Sequence, residues 1–410
     1  MVSHSSELSK MSILHKKTKD ETMLEALQAK PAEAQQAAGY ADTLREILQQ
    51  PATWRDTFDL LRSTVVQQRL AKALDPRPAH IVLTGSGSSI YIGECLAPLL
   101  QAGLGIPVQA IAAGTLLTHW RSVLPAGAGL LISIARSGDS PESGSVVSTL
   151  LAEAPAWRHL VITCNADGKL ATHYRNEQRV TALVLDERTN DRSLVMTSSF
   201  TNLLLGGTAL LQSPRVALVA ETVHSAASDA QHIFDIQADA IAALAQRDMT
   251  SAVYLGSGAA FGAAREGALK MLEMTGGKVI TMAETFLGLR HGPMSFIHPG
   301  TLVVALLSPD PAVRGYECDL LRELSRKQLG MAKLVVGDDV PADVLGPEDV
   351  AITTSTAAVG ADVSAVLTGV VVTQLLAFFR CLQLGGKPDT PSEGVLTRVV
   401  EDFAIHGATP

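Results

Sequence analysis

Two short segments, 171 positions apart, constrain the fold of this chain more than any other feature. Ile81-Val82-Leu83-Thr84 runs into Gly85-Ser86-Gly87-Ser88-Ser89, and Ala252-Val253-Tyr254-Leu255 runs into Gly256-Ser257-Gly258-Ala259-Ala260. Each is an apolar strand that turns through Gly-Ser-Gly into a helical stretch. One such turn is a weak signal, but two at matched points argue an internal duplication. Further strand-like runs follow at 129–134, 160–163 and 182–185, then at 302–307, 332–336 and 349–353, with helical stretches between them. That alternation predicts an α/β fold: two tandem doubly wound parallel sheets of flavodoxin type, each covered on both faces. The expected division is a frayed or helical segment over 1–50, a first domain over 51–215, a helical connection over 216–250, a second domain over 251–385, and a C-terminal segment over 386–410.

Composition narrows the classes of function. With 410 residues, the chain is too long for one compact core. Apolar residues are 47% and charged residues 18%, which excludes a disordered chain. The formal net charge is −8, and residues 1–75 hold ten Lys or Arg against ten Asp or Glu, so no nucleic-acid partner is expected. Cys95, Cys164, Cys318 and Cys381 are widely separated, with no CxxC pair, so neither a zinc site nor a disulfide framework is expected. The run Val366 to Phe379 is interrupted by Thr368, Thr373 and Gln374. It reads as short of the roughly 20 apolar residues that span a bilayer. With no leader pattern at the N-terminus, the expectation is a cytoplasmic protein without a membrane partner. Pro31 and Pro51 are expected to break residues 21–75 into short helices.

Ligands of open parallel sheets sit beyond the carboxyl ends of the strands. Two loops of the first half end strands there: Gly85 to Ser89, and Ala135-Arg136-Ser137-Gly138-Asp139-Ser140-Pro141-Glu142. Glycines admit close backbone approach, helix N-termini offer free N–H groups, and serine hydroxyls add donors without charge, which suits a phosphate monoester. Serines at such junctions also serve as ordinary helix caps. The second half supplies a control, because Ala259 and Ala260 replace Ser88 and Ser89 at the same place. A dinucleotide is disfavoured, since Ile90 takes the third position of a G-x-G-x-x-G fingerprint and no acidic residue stands near 108–111. No Walker-type loop is present.

The second half carries the candidate acid–base groups. Glu266, Lys270 and Glu273 stand at i, i+4 and i+7 and share one helix face. Their neighbours are small or apolar, so the helix is expected to be buried, and buried charges need partners or a wet cleft. Two carboxylates and an ammonium in a cleft suit proton transfer. Downstream, Arg290-His291-Gly292-Pro293 holds a histidine on a constrained loop, where the arginine favours a neutral imidazole.

With these motifs in place, residues 50–405 resemble the sugar isomerase (SIS) domain family, and within it the galactosamine-6-phosphate deaminases, also called tagatose-6-phosphate ketose/aldose isomerases. The resemblance rests on Leu83 to Ser89, Ile132 to Ser143, Ile162 to Asn165, Met196 to Ser199, Arg265 to Lys270, Leu289 to Pro293 and Thr397 to Val400. It implies a sugar phosphate held by Ser86, Ser88, Ser89, Arg136, Ser137 and Ser140, with Thr197, Ser198 and Arg398 also facing substrate. It implies that Glu273 moves the proton between C1 and C2, that Glu266 and Lys270 support it, and that His291 opens the sugar ring from a partner subunit. A homodimer, no cofactor and no metal follow from the same likeness, as does a C-terminal segment that closes the active site. The chain departs from the related isomerase domain of glucosamine-6-phosphate synthase in three places. Ala135-Arg136-Ser137 replaces Ser-Gln-Ser, Gly288-Leu289-Arg290-His291 replaces Glu-Leu-Lys-His, and Arg398 stands nearest to a C-terminal lysine. An arginine there forms no Schiff base. Isomerisation of an unaminated sugar phosphate, removal of an amine from a glycated amino-acid phosphate, and non-catalytic sensing of a sugar phosphate remain open at this level.

Overall fold

The computed structural model describes residues 21–211, 216–355, 360–392, 394–398 and 404–406. Five helices lead in: α1 (Met23–Gln28), α2 (Ala32–Ala38), α3 (Ala41–Leu48), α4 (Gln50–Arg62) and α5 (Thr64–Leu74). The first half runs β1 (His80–Thr84), α6 (Ser88–Leu104), β2 (Val108–Ala110), α7 (Ala113–Val123), β3 (Gly129–Ala135), α8 (Pro141–Glu153), β4 (Trp157–Thr163), α9 (Lys169–Thr172), β5 (Val180–Val184) and α10 (Ser198–Thr208). Helices α11 (Val216–His232) and α12 (Ala238–Ala245) connect the halves. The second half runs β6 (Ser251–Leu255), α13 (Ala259–Met274), β7 (Ile280–Glu284), α14 (Phe286–Leu289), β8 (Thr301–Leu306), α15 (Pro311–Arg326), β9 (Ala332–Gly337), β10 (Val350–Thr353) and α16 (Ala361–Gln383).

Both sheets have five strands, and every pairing is parallel. Their orders, β2-β1-β3-β4-β5 and β7-β6-β8-β9-β10, are the same topology twice, as the repeated Gly-Ser-Gly turn predicts. Successive strand residues alternate between faces. Thus Ile81 and Leu83 join the large inner core while Val82 packs outward with Leu116 and Val146. Ala252 and Tyr254 face the inner core, whereas Val253 and Leu255 pack outward with Leu320 and Leu321.

The inner core is shared. One contiguous apolar cluster runs from Met23 to Leu382 and takes in residues of both halves, because α6, α10, α13 and α16 form a common helical layer between the sheets. The sheets are distinct, as expected, but the helical layer they cover is shared. That layer includes α16, packed on α13 and 23 residues long, apolar enough to cross a membrane. This overturns the reading of 366–379 as too interrupted. Its most apolar window is 94% buried within the protein, the expected state of a helix that is apolar all round in a large core. Gln374 interrupts the run because it bridges elements: its side chain donates to the Thr197 carbonyl at 3.2 Å and accepts from Gln50 Nε2 at 2.8 Å.

As expected, residues 23–74 form five short helices, and Pro51 marks the break between α3 and α4. It lies in the first turn of α4, where no intrahelical N–H bond is lost. Strand β7 was not expected, since as an edge strand it leaves Ile280 63% exposed and shows little apolar alternation. Residues 1–20, Val399 and Val400 lie outside the described residues.

Candidate active site

The site is built where α6 and α13 cross. Gly87 and Gly258 both adopt positive φ, +56° and +55°, so the two copies of the turn have one conformation that side-chain-bearing residues rarely take. Neither following helix uses a side-chain cap. Ser88 and Ser89 are therefore not needed to start α6, just as Ala259 and Ala260 start α13. Ser88 instead accepts a hydrogen bond from Lys270 Nζ at 3.0 Å, across the two halves. Ser89 lies against Met196, with its hydroxyl 3.9 Å from the sulfur, and Ser86 is exposed at the turn.

That approach depends on Gly262, where a Cβ would lie 2.6 Å from Cys95 Sγ and 2.7 Å from the Tyr91 carbonyl. Arg265 adds an ion pair to Glu94 and stacks its guanidinium 4.5 Å from the Tyr91 ring.

Lys270 is fully buried. Its ammonium is bonded to Glu273 Oε2 and lies 3.4 Å from Glu266 Oε1. Glu266 is also fully buried, and neither of its oxygens makes a well-formed hydrogen bond. Burial pushes its carboxyl up to about 8, helped by Glu273 and opposed by Lys270. For Lys270, burial disfavours the charge, but the two carboxylates outweigh it and hold the ammonium above its ordinary range. Glu273 alone of the three keeps solvent contact, with 23% of its side chain exposed. The arrangement thus presents one accessible carboxylate, backed by a buried cation that reaches the first helix turn of the opposite half.

The loop after β3 lies beside this turn, because β1 and β3 are neighbours and their connections leave in opposite directions. Ser137 Oγ accepts from the Asp139 N–H at 3.3 Å. Ser140 is the N-cap of α8 and donates to Glu142 at 2.6 Å. The capping use of serine therefore holds for Ser140 and not for Ser88. The second half again provides a control. Its equivalent loop, after β8, is filled by the protein's own carboxylate: Glu317 accepts from the Ser308 N–H at 2.7 Å, with the Ser257 hydroxyl beside it. Aligned on Pro141 and Pro311, which open the two helices, the first-half position equivalent to Glu317 is the buried Val147, so the first half has no carboxylate of its own there.

Three sequence-predicted residues sit deeper. Thr197 and Ser198 are fully buried at the start of α10. Ser198 donates to Asp191 and accepts from Gln49 Nε2 at 2.9 Å. Arg136 is 8% exposed and directs Nη1 to the carbonyls of Ser193 (3.1 Å) and Leu194 (2.9 Å). Arg398 is exposed, and its guanidinium bonds Asn190 Oδ1 at 2.6 Å. His291 is exposed and makes no side-chain bond to the Glu273 cluster of its own chain, while neighbouring Arg290 pairs with Glu323 at 3.0 Å.

Sequence reasoning missed Asp191 and Glu46, both buried. Asp191 accepts from Thr197 N, Ser199 N and the Ser198 and Ser199 hydroxyls. Glu46 accepts from the N–H groups of Arg192 and Ser193. No local spacing signals Glu46, which reaches its partners from about 146 residues away. Among the described residues, all four cysteines are buried and unpaired, and no cluster of three His, Cys, Asp or Glu side chains has a metal-holding arrangement.

No protein-family model matches the chain. The D-galactosamine-6-phosphate deaminase AgaS of Escherichia coli is 34% identical over 370 residues, covering 89% of this chain and 95% of its own length. A Streptomyces coelicolor homologue is 37% identical over 384 residues, with the same coverage of each. The crystal structure of the tagatose-6-phosphate ketose/aldose isomerase from Escherichia coli matches with a TM-score of 0.81 at 30% identity, covering 93% of this chain and 99% of that one. Sharing fold and sequence with these proteins along nearly their whole length, the chain belongs to the SIS-domain phosphosugar isomerase family.

Proposed function

We propose that the protein is an isomerising deaminase that converts galactosamine 6-phosphate and water into tagatose 6-phosphate and ammonia. The observation that carries the reading is Lys270, buried between the accessible Glu273 carboxylate and the Ser88 hydroxyl of the first-half helix turn. It ties a proton-transfer group to an anion-binding turn, as a reaction near one end of a phosphorylated sugar requires. Names of relatives at 34% identity support the same substrate class.

In this reading the phosphate is bound by the turns of Ser86, Ser88, Ser89 and Ser137, where helix N-termini and hydroxyls face it, together with Arg136 and Arg398. Glu273 takes the proton from C2 of the open-chain aldose and delivers one to C1. As O1 gains a proton and the amine gives one up, the electrons shift to leave a C1 alcohol and an imine at C2, which water hydrolyses to the ketone with release of ammonia. Lys270 steadies the Glu273 carboxylate and donates to Ser88, with Glu266, whose carboxyl burial raises, 3.4 Å behind it. His291 opens the ring from a second subunit. Its exposure, and that of Leu272 (43%), Ile280 (63%) and Leu287 (47%) on the consecutive elements α13, β7 and α14, support a dimer that covers this edge.

The solved relative named a ketose/aldose isomerase favours a second reading, plain interconversion of an unaminated sugar phosphate. One experiment separates them. Purified protein is given galactosamine 6-phosphate, glucosamine 6-phosphate and tagatose 6-phosphate, with ammonia and ketose or aldose measured in parallel. The proposal expects equal amounts of ammonia and tagatose 6-phosphate from the first. Aldose formed from tagatose 6-phosphate, without ammonia from any amino sugar, would favour the isomerase.

A further inference from the structure

Helix α3 and the C-terminal segment meet at the loop 190–196, and their contacts form a closed circuit. Asp389, 9% exposed, caps the start of α3: its carboxylate accepts from Thr43 N and Thr43 Oγ1, each at 2.7 Å, and from Asp42 N at 3.3 Å. The Asp389 N–H donates to the Gly39 carbonyl at 2.8 Å, and its carbonyl accepts from the Leu194 N–H at 3.0 Å. From the same helix, Glu46 accepts from Arg192 N at 2.6 Å and from Ser193 N at 3.3 Å. The loop so held carries the carbonyls that anchor Arg136, and Arg398 reaches it from the C-terminal side. Further along the C-terminal segment, Ser392 Oγ donates to the Glu273 carbonyl at 3.4 Å.

Neither Arg136 nor Arg398 has a carboxylate within ion-pairing distance among the described residues. Burial first, and then the Arg398 charge, make the Arg136 guanidinium less basic than usual, against the Asp191 and Glu46 charges, which favour it. The two guanidinium groups bond the same loop, Arg136 at Ser193 and Leu194 and Arg398 at Asn190 and Arg192. With neither in an ion pair to a carboxylate among the described residues, they offer a place for an anion. Like charges hold such a place only when the surrounding structure fixes them.

We infer that α3 is a positioning element of the active site: through Thr43–Asp389 and Glu46 it fixes the 190–196 loop and the C-terminal segment, and so sets Arg136 and Arg398 for the substrate's phosphate. This rests on the phosphosugar reading above, and it gives residues 41–48 a role in substrate affinity. Thr43 and Asp389 touch no substrate. They act through the two arginines.

The test uses the full chain with Thr43→Val, which keeps shape and removes the hydroxyl, and with Thr43→Ser, Asp389→Asn and the double variant Thr43→Val/Asp389→Asn. Inorganic phosphate is titrated calorimetrically, KM and kcat are measured with galactosamine 6-phosphate, and folding is checked by thermal unfolding. Loss of one hydrogen bond to a charged group that orders the receptor should raise the phosphate Kd and KM about five- to thirtyfold, with kcat within about threefold of wild type. Thr43→Ser should restore both, and the double variant should fall short of the sum of the two singles, because both act on the Thr43–Asp389 contact. Should Thr43→Val not fold, Asp389→Asn alone carries the comparison. A folded variant that binds phosphate within twofold of wild type would overturn the inference, as would a loss confined to kcat. If phosphate binding responds as expected but wild type releases ammonia from no hexosamine phosphate, α3 keeps its role and the deaminase reading falls.

Discussion

Replacing Lys270 by Met tests the electrostatic centre of the site. The thioether keeps most of the side-chain volume, so packing between α6, α13 and α16 changes little. What is lost is the ammonium that contacts Glu273, stands 3.4 Å from Glu266 and donates to Ser88 at 3.0 Å. Were Glu266 to remain ionised, breaking a buried pair would cost about 3–5 kcal/mol. It need not remain so. Its carboxyl already titrates at about 8, with Lys270 the influence that lowers it, so the variant keeps Glu266 protonated at pH 7. The cost is then the lost charge-assisted hydrogen bonding, about 1.5–3 kcal/mol. For a carboxyl whose native pKa is raised, stability declines as pH rises from its unfolded value toward its folded one. In the variant that folded value moves higher still, so the deficit against wild type should grow between pH 7 and 9. Calorimetry at pH 6, 7.5 and 9 should show Tm lowered by about 2–4 °C at neutral pH, more at pH 9. Ammonia release should fall at least a hundredfold or so, since Glu273 and Ser88 lose their common partner. A Tm within a degree of wild type at all three pH values would refute the reasoning.

Other perturbations separate binding, packing and titration. Ser137→Ala should raise KM for the sugar phosphate about ten- to a hundredfold with kcat nearly unchanged, because the phosphate carries the same charge in ground and transition states; steady-state kinetics check it. Gly262→Ala puts a Cβ 2.6 Å from Cys95 Sγ and should destabilise the α6–α13 contact by about 1–3 kcal/mol in denaturant unfolding. Burial and the nearby Asp191 charge push Glu46 up to about 7 from its ordinary 4.5. Its contribution is complete below pH 4.5 and declines as pH rises to 7, so Glu46→Gln should flatten the fall in Tm across that interval.

Much of this architecture was legible in the sequence because the signals were local. Gly85-Ser86-Gly87 and Gly256-Ser257-Gly258 announced the duplication, and their glycines share one φ in the structure. The spacing of Glu266, Lys270 and Glu273 on an otherwise small-residue helix anticipated a buried charged face. What was not legible depends on distance or on exposure. Ile280 sits on an edge strand with little apolar alternation, so β7 gave no periodic signal. Thr197 and Ser198 read as substrate-facing hydroxyls, yet Asp191 turns this run into a buried hydrogen-bond cluster. The partnership of Asp389 with Thr43 spans 346 residues, and only the fold brings the two together.

The central claim is that Glu273 performs the proton transfer while the opposite half holds the phosphate. Glu273→Gln preserves shape and removes the base. Measured beside wild type with galactosamine 6-phosphate, it should lower the rate of ammonia release by about 10²–10⁴ while the calorimetric Kd for inorganic phosphate stays within about twofold. A variant that releases ammonia at a near-normal rate would contradict the account and assign the proton transfer to another residue.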